Sequence, residues 1–516
     1  MPGDATQIGP WVGGLNTQSD QTSVADNQAV VIENMELDLD GSLVSRPPIV
    51  DLNVSFPLGA TGNMQLLGYF YAPGGVPYLL ASDGLSSTYY FTGNAWTLLT
   101  STIAASAMAQ FNGLAYLLAP VGSANPGGTW SPATGFVAEP NMPKGEAIVA
   151  YKFRLWVAVG RDAVTNGTSM YYSKVLGTAG GIWVAAPDFI NIGAGDGQNI
   201  VQLVVYYQSI LIFRTSSTYS FQFTSDPSAG QISLILPNIG LSDKDAVASF
   251  ESFLYFMYND KAYEFINNRA SQVNSSVPLR AVSRSGIYKP FAVSVFGNRA
   301  IFSYYDTMFV FNIVTRTWTT WISPLRGSIG RIVMSQQAGT AFPVAIAHSS
   351  QFVASGGGRV AKTLRITDGI TTDAEAFTCT LQTKNYNYNT SSAYKRLFWW
   401  GVDAIFRSTV TAIVTPIVYN YSVTWGQARA ASTWGQARLF TWGQPLNGTI
   451  AVQTDRNTAG GGAIRKFVKF DKSLRFRQVN FKLVFTTDGS TTTSPVRIFS
   501  LMTYVKVKER VVQTVT

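Results

Sequence analysis

The chain has 516 residues, enough for two or more domains with large cores. Aromatic residues make up 13% and charged residues 13%, with 46 glycines; this balance excludes disordered and coiled-coil chains and fits an all-β protein with broad paired surfaces. The net charge of +9 permits acidic partners without demanding nucleic acid, while the single cysteine, Cys379, excludes a disulfide framework and the single histidine, His348, removes most catalytic and metal options.

Residues 1–60 read as an N-terminal extended arm with short strands. Met1-Pro2-Gly3-Asp4 shows neither the basic nor the apolar segment of a secretory leader, so none is expected. Gly13-Gly14-Leu15-Asn16 precedes a polar stretch, and Asp26 is placed to cap a short helical turn. From Ile32 to Leu43 apolar and polar residues alternate around Asp40-Gly41, which predicts two short strands and a tight turn ended by Arg46-Pro47-Pro48. Asp38 and Asp40 have calcium chemistry, but the other oxygen ligands of a full loop do not follow, and a solvated turn is the favoured reading.

Residues 61–365 carry an internal repeat: an aromatic or apolar residue, a polar turn, then a short strand. It appears at Phe111-Asn112-Gly113-Leu114, Tyr151-Lys152-Phe153-Arg154, Tyr207-Gln208-Ser209-Ile210, Phe250-Glu251-Ser252-Phe253 and Phe296-Gly297-Asn298-Arg299. Successive starts lie 40, 56, 43 and 46 residues apart, the period of a four-stranded propeller blade. Aromatic closes such as Thr317-Trp318-Thr319-Thr320-Trp321 suit an indole packed between neighbouring sheets. About seven blades are expected, with six or eight as alternatives. The longest apolar stretch, Val201 to Phe213, is interrupted by Gln208 and falls short of the roughly 20 residues a bilayer requires, so no membrane span is expected.

Residues 366–516 lose the period and alternate instead, as in Phe377 to Gln382, Thr409 to Val418 and Val496 to Val507, which predicts a jelly-roll-like β-sandwich. Within it Trp425, Trp434 and Trp442 recur in Thr-Trp-Gly-Gln units; they are candidates for glycan or partner stacking, against a simpler role in packing on the sandwich. Arg465, Lys466, Lys469, Lys472, Arg475 and Arg477 are interleaved with Phe467, Phe470 and Phe476, as in a strand with basic residues on one face and Phe on the other. They are candidates for an acidic partner or DNA phosphate, against a solvated strand face.

Catalytic motifs are weak. No motif fixes a carboxylate pair, no Gly-x-Ser-x-Gly elbow accompanies His348, and Gly193-Ala194-Gly195-Asp196-Gly197 lacks the Lys-Ser/Thr ending of a phosphate loop and reads as a hairpin between blade strands. The chain is therefore expected not to be an enzyme and to need no cofactor and no metal.

Gly13-Gly14-Leu15-Asn16, Asp26-Asn27-Gln28-Ala29, Glu33-Asn34, Asp40-Gly41-Ser42-Leu43 and Arg46-Pro47 together resemble the start of tail β-propeller proteins of double-stranded DNA phages. That group spans the nozzle or tail tubular proteins of short-tailed phages and the propeller-bearing minor tail proteins of long-tailed ones. Tyr171-Tyr172-Ser173, Phe189 to Gly193, Ile210 to Phe213, Lys261 to Phe265, Arg497 to Leu501 and Tyr504-Val505-Lys506 are similar to other parts of these proteins. The chain is shorter than many nozzle proteins. The resemblance implies a non-enzymatic virion component of the distal tail, assembled in the host cytoplasm and serving host attachment or genome ejection. It also implies three or six copies around the tail axis, contacts with other tail proteins and transient contact with the DNA genome. Gly13, Gly14, Leu15, Asn16, Arg46 and Pro47 would belong to an arm that clamps a neighbour, so that a chain lacking residues 1 to about 50 would keep a folded propeller. The competing function is a carbohydrate- or receptor-binding propeller acting in host recognition.

Overall fold

The computed structural model describes residues 4–507 except 58–63, 161–166, 177–181, 194, 251, 274–290, 305–306, 323–327, 330, 336–343, 352–359, 368–376, 387, 389–394, 407–409, 420–449, 454–462, 477 and 488–495. Among these residues there is no α-helix; strands dominate, with one 3-10 turn at Pro227–Ala229.

Six antiparallel meanders follow one another, each running from an inner to an outer strand. Blade 1 runs from Gln65–Tyr71 to Trp96–Thr100, blade 2 from Ala107–Phe111 to Gly135–Ala138, and blade 3 from Ala147–Tyr151 to Phe189–Asn191. Blade 4 runs from Ile200–Tyr206 to Gln231–Leu236, blade 5 from Val247–Phe250 to Arg269–Gln272, and blade 6 from Phe291–Phe296 to Thr317–Ile322. Blade 7 is composite. Ser328–Ile329 and Val333–Ser335 pair with Val344–Gln351, which pairs with Val360–Thr367, and the outer strand is Ile49–Phe56 from the N-terminal region. Seven blades therefore form the ring. It closes where Phe56, Leu52, Val54 and Val333 of blade 7 share a core with Leu66, Leu79 and Phe91 of blade 1.

The second strand of each blade is nearly all apolar because both faces of the sheet are covered by neighbouring blades. Ser209–Arg214 is buried at every position. Indoles fill the gaps between blades. Trp130 of blade 2 lies 5.5 Å from Phe70 and 5.6 Å from Tyr78 of blade 1, and Trp156 of blade 3 lies 5.3 Å from both Phe221 and Phe223 of blade 4. The meander topology puts the turns between first and second strands on one face of the ring, together with those between third and fourth. We call this the hairpin face; the connections between blades lie on the other, the link face.

The remaining strands form two antiparallel sheets over a common core. One contains Ala463–Phe476, Lys395–Phe406, Val496–Val507, Leu43–Ser45 and Met35–Leu37, with Asp4–Ile8 also paired to Val496–Val507. The other contains Thr378–Thr383, Gln478–Thr487, Val410–Tyr419 and Ile450–Gln453. Ile498, Leu501 and Val505 of the first pack in one cluster with Cys379, Leu381, Phe481 and Leu483 of the second, giving a β-sandwich.

The N-terminal region is extended in conformation but folded onto its own chain. Strand Gln28–Glu33 pairs with Thr378–Thr383 on one side and meets the outer strand of blade 6 on the other, at Glu33 and Thr320. It thereby joins propeller and sandwich into one ten-stranded sheet. The chain before this strand forms a turn, with Gln28 N–H donating to Ala25 O at 3.1 Å, not the helical turn expected from Asp26. A strand wins here because Ala29 and Ile32 are buried at the joint. Glu36 adds a bidentate ion pair with Arg299 of blade 6, at 2.6 and 2.8 Å. Asp38 and Asp40 hold no metal-like constellation; the Arg497 guanidinium reaches both, and its Nε donates to Ser42 Oγ at 2.9 Å. Burial raises the Asp40 carboxyl, but its hydrogen bonds from Ser42 and the nearby Arg497 outweigh that and hold it below the usual carboxylate range.

Candidate functional site

The residues that precede the inner strands converge at the link-face mouth of the propeller axis. Glu146 immediately precedes Ala147–Tyr151, Asp243-Lys244-Asp245 leads into Val247–Phe250, and Arg331 leads into Val333–Ser335. Lys244 Nζ donates across the axis to Ser106 O of the blade 2 approach at 3.1 Å and to Glu146 Oε2 at 3.3 Å. Arg331 Nη1 donates to Leu67 O of blade 1 at 3.2 Å and stands 3.8 Å from Asp245 Oδ1. Gln202 of blade 4 donates to Lys244 O at 2.9 Å, and Asp245 O accepts from Val293 N of blade 6 at 2.8 Å. Burial, then the neighbouring Asp245, pushes the Asp243 carboxyl above its ordinary value.

Below this charged mouth is an axial cavity of about 370 Å³. Met108, Val149, Val204, Val247 and Val295 from successive inner strands line it together with Gln65, Ser106, Gln202 and the charged groups of the mouth, so its lining is more polar than apolar. Small-molecule sites are concave and carry convergent polar groups, so this cavity is the candidate site of the propeller. Two ion pairs, Lys244–Glu146 and Arg331–Asp245, cross the mouth and stand in the way of a ligand entering from this face. Replacing Lys244 with Met is expected to lower stability by about 1–3 kcal/mol, because Glu146 then stays partly buried without its cation. Urea midpoints of the variant and of the double variant with Glu146→Gln check this; the double change should recover part of the loss.

Glu264 and Cys379, also perturbed, lie in the joints between elements. Glu264 accepts from Tyr255 Oη at 2.7 Å and from Arg316 Nη1 and Nη2 at 2.7 and 3.0 Å, tying blade 5 to blade 6. Burial raises its carboxyl, but the Arg316 and Tyr255 hydrogen bonds outweigh this and hold it low, the opposite of what a general acid needs. Cys379 is fully buried, donates to Asn34 O at 3.2 Å, and its thiol is pushed up to about 12 by burial. Such a thiol is inert. Among the described residues no three His, Cys, Asp or Glu come together as metal ligands.

Gly193-Ala194-Gly195-Asp196-Gly197 is the link between blades 3 and 4, not a hairpin within a blade; its outer neighbours are Phe189–Asn191 and Ile200–Tyr206. Buried Arg214 fixes it through Asp196 and the carbonyls of Gly193 and Gln198.

The structure does not gather the residues singled out by sequence into one site. Trp425, Trp434, Trp442 and Arg477 lie outside the described residues. Arg465, Lys466, Lys469, Lys472 and Arg475 fall in strand Ala463–Phe476, whose side chains also lie outside them. Its register sets Arg465 opposite Asp403, Phe467 opposite Gly401 and Lys469 opposite Trp399. His348 lies opposite Thr363 in blade 7, its side chain outside the described residues.

The arm residues meet their own chain. Gly13 N–H donates to Asn27 O at 3.0 Å, Gly14 packs on Thr317, Leu15 is buried, and Asn16 bonds Gln28 at 2.9 Å. Arg46 is buried with its Nε donating to Asn34 Oδ1 at 2.9 Å, its Nη1 donating to Pro47 O at 2.8 Å, and its guanidinium 4.4 Å from the Phe377 ring centroid. Leu15 and Arg46 are therefore parts of the internal joint and not a surface for a neighbour. Sequence reasoning missed Glu146, Lys244, Asp245 and Arg331. Their one shared signal is position within the repeat, since each lies within three residues before an inner strand.

Seven blades around an axis, joined to a two-sheet sandwich, define a β-propeller protein with a fused β-sandwich. No protein-family model matches the chain, and no curated protein does. Among solved structures it is similar to the extracellular domain of a one component system from B. thetaiotaomicron, at 9% identity and a TM-score of 0.42, covering 73% of this chain and 55% of that one. It is also similar to the β-propeller domain of Cps50 (Swd1) from Myceliophteria thermophila, at 9% identity and a TM-score of 0.40, covering 61% of this chain and 99% of that one. The WD40 domain of Neurospora crassa Pan2 gives 9% identity and a TM-score of 0.38, with 61% and 95% covered. These likenesses concern the fold alone.

Proposed function

We propose that the chain is a non-enzymatic structural component of a bacteriophage tail, a nozzle or minor tail protein near the distal end. In this reading several copies surround the tail axis and contact other tail proteins, after assembly in the host cytoplasm. The resemblance of its N-terminal, blade and C-terminal motifs to tail propeller proteins supports the assignment. The observation that carries a scaffold role is strand Gln28–Glu33, which joins propeller and sandwich into one ten-stranded sheet. Two units joined by backbone hydrogen bonds and by the Glu36–Arg299 pair transmit force without a hinge.

The axial cavity constrains the arrangement. The Lys244–Glu146 pair, at 3.3 Å, reaches across the axial mouth between blades 5 and 3 and leaves an opening far too narrow for a duplex. In a tail ring the genome would therefore run between copies and not through any propeller. Immunogold electron microscopy on purified particles from the source lysate tests the proposal. Gold at the tail tip is the expected result; protein found only in the soluble fraction overturns it, and a glycan array then decides whether the chain is a free carbohydrate- or receptor-binding module.

A further inference from the structure

We infer that the hairpin face of blades 3 and 4 docks onto an anionic lipid surface. In blade 3 the pairing of Tyr151 with Arg154 leaves a two-residue turn, Lys152-Phe153, with φ of 47° and 58°. Turns of this shape favour Asn-Gly, and blade 2 uses that pair at the same place, Asn112-Gly113, with φ of 49° and 72°. Blade 6 likewise has Gly297 at φ 54° in its turn. Blades 3 and 4 depart from this economy. Phe153 takes a conformation unfavourable for a bulky residue and is 73% exposed, and Tyr207, at φ 49° in the turn of blade 4, is 65% exposed. The same chain shows the unstrained solution, so strain and exposure together point to a use for the rings outside the fold.

The surroundings select the occupant. Val175 and Leu176 are exposed beside Phe153, with Leu176 N–H donating to Phe153 O at 3.2 Å. Lys152, Arg154 and Lys174 flank these apolar residues in sequence; Lys152 Nζ donates to Phe223 O and lies 4.8 Å from the Phe223 ring centroid, and Arg154 Nη1 donates to Ser173 O at 2.7 Å, leaving their remaining donors and Lys174 to meet an anion. Lys174 pairs with Asp188 at 2.8 Å, both groups well exposed, and such a pair exchanges partners at little cost. Asp226, on the same side, is close enough to Arg154 to feel its charge and already accepts from Ser228 N–H at 2.9 Å. Apolar tips ringed by Lys and Arg on a chain of net charge +9 match the chemistry of an anionic bilayer surface, with rings at the headgroup level and cations on the phosphates. This inference stands independently of the tail reading.

The test is co-sedimentation of the full chain with phosphatidylcholine vesicles and with vesicles containing phosphatidylserine. The full chain is expected to bind the anionic vesicles, and Lys152→Gln and Lys174→Gln to weaken binding about fivefold each. Phe153→Gly and Tyr207→Gly are expected to weaken it about tenfold each. Glycine suits a positive φ, so both variants should melt at or above the wild-type temperature, which separates lost binding from lost folding. No sedimentation with either vesicle overturns the inference, as does binding unchanged in Phe153→Gly. Self-association abolished by Phe153→Gly, seen by sedimentation velocity without vesicles, would assign the face to a second copy of the chain and likewise overturn it.

Discussion

A chain lacking residues 1–50 is expected to lose cooperative folding. The deletion removes Ile8, Trp11, Ala29, Ile32, Met35 and Leu43, all wholly buried in the core shared by blade 6 and the sandwich. Each large apolar side chain buried contributes about 1.5–3 kcal/mol, so the loss is on the order of 10 kcal/mol, comparable with the entire stability of a typical domain. It also strips strand Thr378–Thr383 of one of its two partners and removes Ile49 and Val50 from the outer strand of blade 7, where they pair with Ile366 and Arg365. The resemblance to tail proteins implies the opposite outcome, a dispensable arm and an intact propeller. Circular dichroism melting and size-exclusion chromatography of residues 51–516 decide between them. A sharp transition within a few degrees of the full chain would show that the joint is dispensable.

Replacing Arg214 with Met is expected to destabilise the protein by about 1–3 kcal/mol, the range for leaving buried acceptors without their donor, because Asp196 itself is partly exposed to water. The Arg214 side chain is 0% exposed. It donates to Asp196 at both carboxylate oxygens, to Gln198 O at 2.6 Å and to Gly193 O at 3.2 Å, closing the link between blades 3 and 4. Met fills much of the volume but leaves these acceptors without their donor. Gly193→Ala attacks the same contact from the other side, because φ there is +58° and a Cβ would sit 2.1 Å from Arg214 Nη1. The pH dependence has a defined sign. The hydrogen bond from Arg214 holds the Asp196 carboxyl below its usual 3.8, so its contribution is present above that value and is lost as pH falls through the folded value. The stability gap between wild type and Arg214→Met should therefore be full at pH 7 and shrink below about pH 4. Urea midpoints at both pH values measure it, and a gap unchanged in acid would show that the carboxylate contributes nothing.

Much of the propeller was legible because its inner two strands advertise themselves. Runs such as Ile210 to Phe213 are buried on both faces, so they are continuously apolar and recur with the blade period. The outer strands carry little signal. Gly135–Ala138 and Phe189–Asn191 are short and mostly exposed, and only their pairing reveals them. The turn at Asp40-Gly41 between Met35–Leu37 and Leu43–Ser45 was equally readable, since local turn chemistry fixes it. The Gly193–Gly197 turn was misread as a hairpin because glycine marks a reversal without saying which strands it joins.

Composition, period and turn residues determine by themselves that this is an all-β propeller with an aperiodic β region after it. These signals are local: each strand's apolar pattern answers to its own burial. The tertiary structure decides what distant segments become to one another. Ile49–Phe56 closes blade 7 against residues some 300 positions later in the chain, and Gln28–Glu33 turns an apparent arm into the joint. The Lys244–Glu146 pair spans 98 residues. None of these pairings leaves a mark on neighbouring sequence, because hydrogen-bonding edges and single charges are common to every strand and loop. Only closure of the ring selects which of them meet.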